Sequence, residues 1–270
     1  MRNMHHITQK RIATGTAGLD KMLCGGLLPG GIYSVVGPPG SGKTMLASQF
    51  LLEGVKRGEN VLLAALDEQP VQIRENLAPM FGPNFDKISV LDGTLEMKNY
   101  EVSPLRDVSI TRHAEVFGRV FPEIPRSPET GNPELTISGV QEMIKAEVRD
   151  SNAQRLVIDS ATALRYFMMP GVDQNTFLQS FLRFLSDLEV TTVITIHEGD
   201  FPVLDTTSIE YVMSRGVIRL HRWLHSNGFK LGLSVEKFRG SEHEEEVRRT
   251  KISPVGLQII ERQSGSSGGG

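Results

Sequence analysis

The sequence predicts one α/β domain with a mostly parallel central sheet, helices on its faces and antiparallel strands at its C-terminal end. Three observations carry that expectation. Strand-like and helix-like segments alternate along most of the 270 residues, the pattern of parallel strands joined by crossover helices. The glycine-rich run Gly37-Pro38-Pro39-Gly40-Ser41-Gly42-Lys43-Thr44 sits between a β-branched segment and a helical one, the context a phosphate-binding loop requires. The chain is 39% hydrophobic, which at this length is enough for one large core.

Taken in order, residues 1–10 have no apolar run and are expected to be a flexible N-terminus, with His5 and His6 solvated rather than bound to metal. Residues 31–37 (GIYSVVG) form a short strand that enters the glycine turn, and 43–58 continue at helical spacing until Gly58. A second buried strand is expected at 60–66 (NVLLAAL), a helix at 71–81 and a third strand at 87–92. Periodicity fades over 93–136, where VFPEIPRSPETGNPEL carries four prolines, and this stretch is expected to be an irregular insertion. A helix over 138–150, a strand at 155–160 (RLVIDS) and a helix over 173–190 follow. Phe177, Leu178, Phe181, Leu182, Leu185 and Leu188 give that last helix one wide apolar face. Strands at 191–198, 216–223, 229–238 and 256–261 complete the sheet, and 242–251 (EHEEEVRRTK) is a mixed-charge strand or turn. Trp223 and Phe229, flanking a polar turn, are expected to be packing or interface groups. The domain is thus expected over 11–262, with 263–270 a Gly/Ser tail belonging to a linker or an expression scar.

Composition narrows the function classes. The net charge of −3 gives no bulk field toward nucleic acid or an anionic membrane. One cysteine, Cys24, permits neither an intrachain disulfide nor a cysteine-based zinc site, which fits a reducing cytoplasm. No apolar run approaches the length that crosses a bilayer.

The glycine run has a specific chemical meaning. Several backbone N–H groups must reach the same phosphate oxygens, so Gly37, Gly40 and Gly42 stand where a Cβ would clash or φ must be positive. The loop from Gly37 through Pro38, Pro39, Gly40, Ser41, Gly42, Lys43 and Thr44 to Met45 is therefore expected to bind nucleotide, with the following helix pointing its positive end at the phosphates. Lys43 supplies a charge to the β- and γ-phosphates and Thr44 a hydroxyl to Mg2+. No NKxD-like guanine signature is present, which favours ATP over GTP. Asp159 ends the apolar strand RLVIDS, where a second Mg2+-holding carboxylate belongs. Asp67 and Glu68 follow the second strand, and Glu68, the longer side chain, is the expected base for the attacking water.

In this order and rough spacing, TGTAGLDKMLCGGLLPGG, the phosphate loop, LDEQP, LVIDS, TTVITIHE and VEKFRGSEH resemble the KaiC branch of the RecA-like ATPases, over nearly all of residues 11–261 outside the insertion. The resemblance implies a RecA-like P-loop NTPase core that forms a ring, usually a homohexamer, with ATP and Mg2+ between subunits. It makes Glu68 the water-activating residue and Lys237 and Arg239 of KFRG the cations that reach a neighbour's γ-phosphate, with Phe238, Ser241 and His243 beside that nucleotide. Strand geometry places Lys237 and Arg239 on one side. The resemblance also suggests His197 as a γ-phosphate sensor. This chain departs from the family pattern in three places: Asp67-Glu68 replaces paired glutamates, Arg215 stands where relatives carry an acid, and Glu210-Tyr211 stands where clock-type members phosphorylate a Ser-Thr pair. The expected function is a regulatory or signalling ATPase with a protein partner. The alternatives are a RecA-like recombination or repair ATPase, against which the charge and the lack of basic runs interleaved with aromatics argue, and a protein kinase of low ATPase activity.

Overall fold

In a computed structural model of the chain, residues 10–94, 137–167, 174–198, 209–226 and 228–260 are described. The expected N-terminal extension, all of the insertion beyond Thr94 up to residue 136, and the Gly/Ser tail lie outside them.

A nine-stranded sheet runs in the order β3-β2-β4-β5-β1-β6-β7-β8-β9. The strands are β1 (Ile32–Gly37), β2 (Val61–Ala65), β3 (Ser89–Asp92), β4 (Arg155–Asp159), β5 (Thr191–His197), β6 (Gly216–His225), β7 (Gly228–Phe238), β8 (Arg248–Ser253) and β9 (Gly256–Ile259). From β3 to β6 every pairing is parallel, and from β6 onward every pairing is antiparallel. The expected mostly parallel sheet with antiparallel strands at the end is the observed one. The mixed-charge stretch resolves into β8, whose exposed side chains disguise a strand that buries only Thr250.

The helices are α1 (Leu19–Met22), α2 (Lys43–Lys56), α3 (Pro70–Phe81), α4 (Ile137–Ser151), α5 (Gln174–Asp187) and α6 (Ile209–Met213). Pro70 at the start of α3 costs no helical hydrogen bond there. The short 3-10 segments at Gly82–Lys87 and Ala161–Phe167 and the short α1 and α6 lack enough turns to show a helical period in the sequence.

The central strands are buried on both sides, which is why they read as continuous apolar runs. Alternate residues feed two cores: Tyr33, Val35, Leu63, Val157 and Val193 face α2 and α3, whereas Leu62, Ala64, Leu156, Ile158 and Ile194 face α4 and α5. Phe181 and Leu185 are fully buried in the second core, as the apolar face of α5 requires. Phe181→Ala should cost about 3–5 kcal/mol in a chemical denaturation experiment through the cavity it leaves, with nucleotide affinity unchanged because the residue lies on the face away from α2.

Candidate functional site

Four neighbouring parallel strands, β2, β4, β5 and β1, end at the same edge of the sheet and deliver Asp67, Asp159, His197 and Gly37 to one place. Ligands of open α/β sheets bind at this carboxyl edge. Here it opens into a cleft of about 410 Å³ lined by Pro39, Gly40, Gly42, Lys43, Thr44 and Met45, by Glu68 and His197, and by an apolar wall that includes Ile73, Leu77, Met80 and Ile252.

Local packing fixes the loop. A Cβ on Gly37 would come within 2.6 Å of the Leu220 carbonyl oxygen, and Gly42 has φ 99° with Leu257 and Ile252 packed against it. Both positions therefore demand glycine. Gly42 is the N-cap of α2, which has neither a capping side chain nor an acid in its first turn. Its first N–H groups and its positive end are left to an anion from outside. Ser41 is 1% exposed and its hydroxyl has no hydrogen-bond partner among the described residues, as expected where an oxygen-rich ligand completes the loop.

Lys43 is buried at 5% exposure and donates from Nζ to the carbonyl oxygens of Gly37 (2.9 Å) and Pro38 (3.0 Å). Burial pushes its pKa down, while Asp159, Glu198 and Asp67 act in the opposite direction. Asp159 is buried, accepts hydrogen bonds from Thr195 and Thr44, and has its pKa raised chiefly by burial. A buried carboxylate beside the Thr44 hydroxyl is a hard-oxygen donor pair of the kind Mg2+ takes together with phosphate and water. Among the described residues no group of three or more His, Cys, Asp or Glu could hold a metal without such help.

The acidic pair divides. Glu68 lines the cleft, and burial followed by the charges of Asp159 and Asp67 raises its pKa, as suits a group that accepts a proton. Asp67 instead accepts a hydrogen bond from Ser160 at 3.4 Å and lies 3.0 Å from His197 Nε2. It is placed to orient the His197 ring, while the backbone N–H of His197 donates to the Thr162 hydroxyl at 2.8 Å.

The KFRG residues lie away from this cleft within one chain. Lys237 reaches the carbonyl oxygens of Tyr211 and Val212 (the latter at 3.0 Å) and packs over the Tyr211 ring, capping α6. Arg239 is exposed, one residue past the end of β7, and its positive charge acts on Lys237. Phe238 is a correction: it is 5% exposed and stacks edge-on with Tyr33 at 5.9 Å, so it belongs to the core and has only backbone to offer a neighbour. Ser241 accepts a hydrogen bond from Arg11 Nη2 at 2.8 Å, and His243 is half-buried nearby.

Several lining residues went unnoticed in the sequence. Ile73, Leu77 and Met80 recur at i, i+4 and i+7 of α3, a helical signal that could have marked the wall. Ile252 comes from β8, and no local pattern links it to the loop.

The fold and the loop define a P-loop ATPase of the RecA-like kind. The family "ATPase: KaiC" matches residues 12–264, and the chain belongs to that family. It is 29% identical over 270 residues to a UPF0273 protein of Thermotoga maritima, covering 95% of this chain and 98% of that one. It is 27% identical to the circadian clock oscillator protein KaiC of a Picosynechococcus strain, covering 96% of this chain but 44% of the longer protein. In structure it resembles a KaiC-like protein from Pyrococcus horikoshii with a TM-score of 0.72 at 22% identity, covering 93% and 99% of the two chains.

Asp159 gives a linkage with a definite sign. Its folded pKa is raised above the ordinary 3.8, so the folded state binds the proton more readily and the carboxylate destabilises the ligand-free protein at neutral pH. Asp159→Asn should raise the melting temperature of the nucleotide-free protein at pH 7. In a pH series the gain should shrink as pH falls through the raised pKa and vanish below 3.8.

Proposed function

We propose that this protein hydrolyses ATP with Mg2+ at sites shared between subunits of a ring, and that the state of those sites governs binding of a protein partner in the cytoplasm. The observation that carries the reading is the convergence of Lys43, Thr44, Asp159, Glu68 and His197 on one cleft. The domain is taken as 11–262, with residues 93–136 an insertion.

In this reading the N–H groups from Gly40 to Met45 cradle the phosphates. Lys43 leaves its two carbonyl partners to meet the β- and γ-phosphates, and the base rests against Ile73, Leu77, Met80 and Ile252. Thr44 and Asp159 would hold Mg2+, which supplies positive charge against the phosphate oxygens. Glu68 takes the proton of the attacking water, and His197, oriented by Asp67, faces the γ-phosphate. Lys237, Arg239, Ser241 and His243 of an adjoining subunit complete the site. The alternatives, a DNA-dependent ATPase and a protein kinase, rest on the wider fold and on hydroxyls at 206–208, which lie outside the described residues.

Size-exclusion chromatography with light scattering, with and without MgATP, tests the shared site. Wild type should form a nucleotide-dependent ring that Arg239→Ala weakens or leaves inactive, and a monomer in every condition would overturn the trans roles. Glu68→Gln should reduce steady ATP turnover by about 10²–10⁴-fold, read as phosphate release, with ATP still bound.

A further inference from the structure

A second charge cluster centres on Arg219, and among its members Glu198 also acts on the cleft by favouring the charged form of Lys43. Arg219 on β6 is 6% exposed. Its Nη1 donates to Glu198 Oε1 and its Nε to Glu236 Oε1, both at 2.5 Å. Its strand neighbours are Val36 of β1 and Ser234 of β7, so this single guanidinium spans from the phosphate-loop strand to the strand that carries Lys237.

Each carboxylate is tied to one end of that span. Glu198 follows β5, and its N–H donates to the Gly37 carbonyl at 3.1 Å, the same oxygen that accepts from Lys43. Glu236 precedes Lys237, its carbonyl accepts from the Tyr211 hydroxyl at 3.5 Å, and its Oε2 is buried with no hydrogen-bond partner among the described residues. Stability is a poor reason for such a group, because desolvating three charges offsets most of their attraction and apolar side chains of similar volume often serve as well. A rigid planar fork gripping two carboxylates does fix the distance between them.

We propose that Glu198, Arg219 and Glu236 form a positioning relay that sets Lys237 according to the occupancy of the phosphate loop in the same subunit, so that a filled cleft prepares its subunit to serve its neighbour. The relay rests on the reading that Lys237 acts across the interface. Lys237 supplies the two-state element: stowed on the carbonyls of Tyr211 and Val212, as in this structure, or turned outward. When Lys43 leaves Gly37 for the phosphates, that carbonyl keeps Glu198 alone, and a shift of Glu198 moves Glu236 through the guanidinium.

The test is steady ATP turnover by the full chain carrying Glu236→Gln, which keeps shape and removes charge. The expected result is a kcat about tenfold lower with KM for ATP unchanged, because the variant's own cleft is intact. Adding Glu68→Gln subunits, which are inert in their own cleft but carry a normal β7, should raise turnover per Glu236→Gln subunit. Unchanged kcat, a raised KM, or no gain on mixing would each overturn the relay. Glu198→Gln enters from the other end and, because it also removes one of the acids that support Lys43, should lower kcat at least as much; the double variant should be no worse than this single one, whereas additive losses would reject a shared path. Lys237→Ala separates the two ideas. If it keeps full turnover, the trans reading fails and takes the relay with it; if it loses turnover while Glu236→Gln does not, the relay alone fails.

Discussion

The site depends on keeping a lysine charged below the surface. Burial alone would favour the neutral amine of Lys43, and what opposes that tendency is Asp159, Glu198 and Asp67, which end or follow three different strands. The cation therefore has its supporting charges only when β2, β4 and β5 lie beside β1 in the assembled sheet. Burial, and after it the charges of Asp159 and Asp67, also push Glu68 toward its protonated form. A polyphosphate entering this set of acids would meet repulsion as well as the lysine, and a divalent cation on Asp159 and Thr44 would offset it. The acids that end or follow the strands thus agree with the proposed Mg2+.

The two ends of the cleft come from distant parts of the chain, and small residues hold them together. The β8–β9 hairpin reaches the phosphate loop because Gly42 leaves room for Leu257 and Ile252. Gln49 on α2 then secures it, its amide oxygen accepting from the Leu257 N–H at 2.9 Å and its Nε2 donating to the carbonyls of Leu257 and Gly15. The same helix that directs its N-terminus at the phosphates is thereby fastened about two turns later to the hairpin that adds Ile252 to the apolar wall.

Legibility follows from how local each cause is. The phosphate loop, the flanking strand and helix, and the acid ending RLVIDS are written in contiguous residues whose spacing reflects backbone geometry, and the sheet class follows from runs buried on two faces. The helix over 70–81 was legible as a helix, yet its wall-forming face was not, because facing a ligand and facing a core call for the same side chains. The strand 248–253 was obscured by its exposed edge, where charged residues outnumber the single buried Thr250. Arg219 sat in plain view in GVIRLHRW, but its partners are 21 and 17 residues away on other elements, and only the fold brings them together.

The pair Lys237 and Arg239 straddles the end of a strand. Alternation holds within a strand, and β7 ends at Phe238. Arg239 lies in the turn that follows, its N–H donating to the Arg215 carbonyl at 2.7 Å. The two cations differ in chemistry. Burial, with the nearby positive charge of Arg239, lowers the Lys237 pKa to about 8, whereas a guanidinium stays charged across the whole working range. In the proposed trans reading, an exposed cation suits the first encounter with a neighbour's phosphates. A stowed lysine whose charge is cheaply lost suits a later commitment, made only once something within its own subunit has released it from α6.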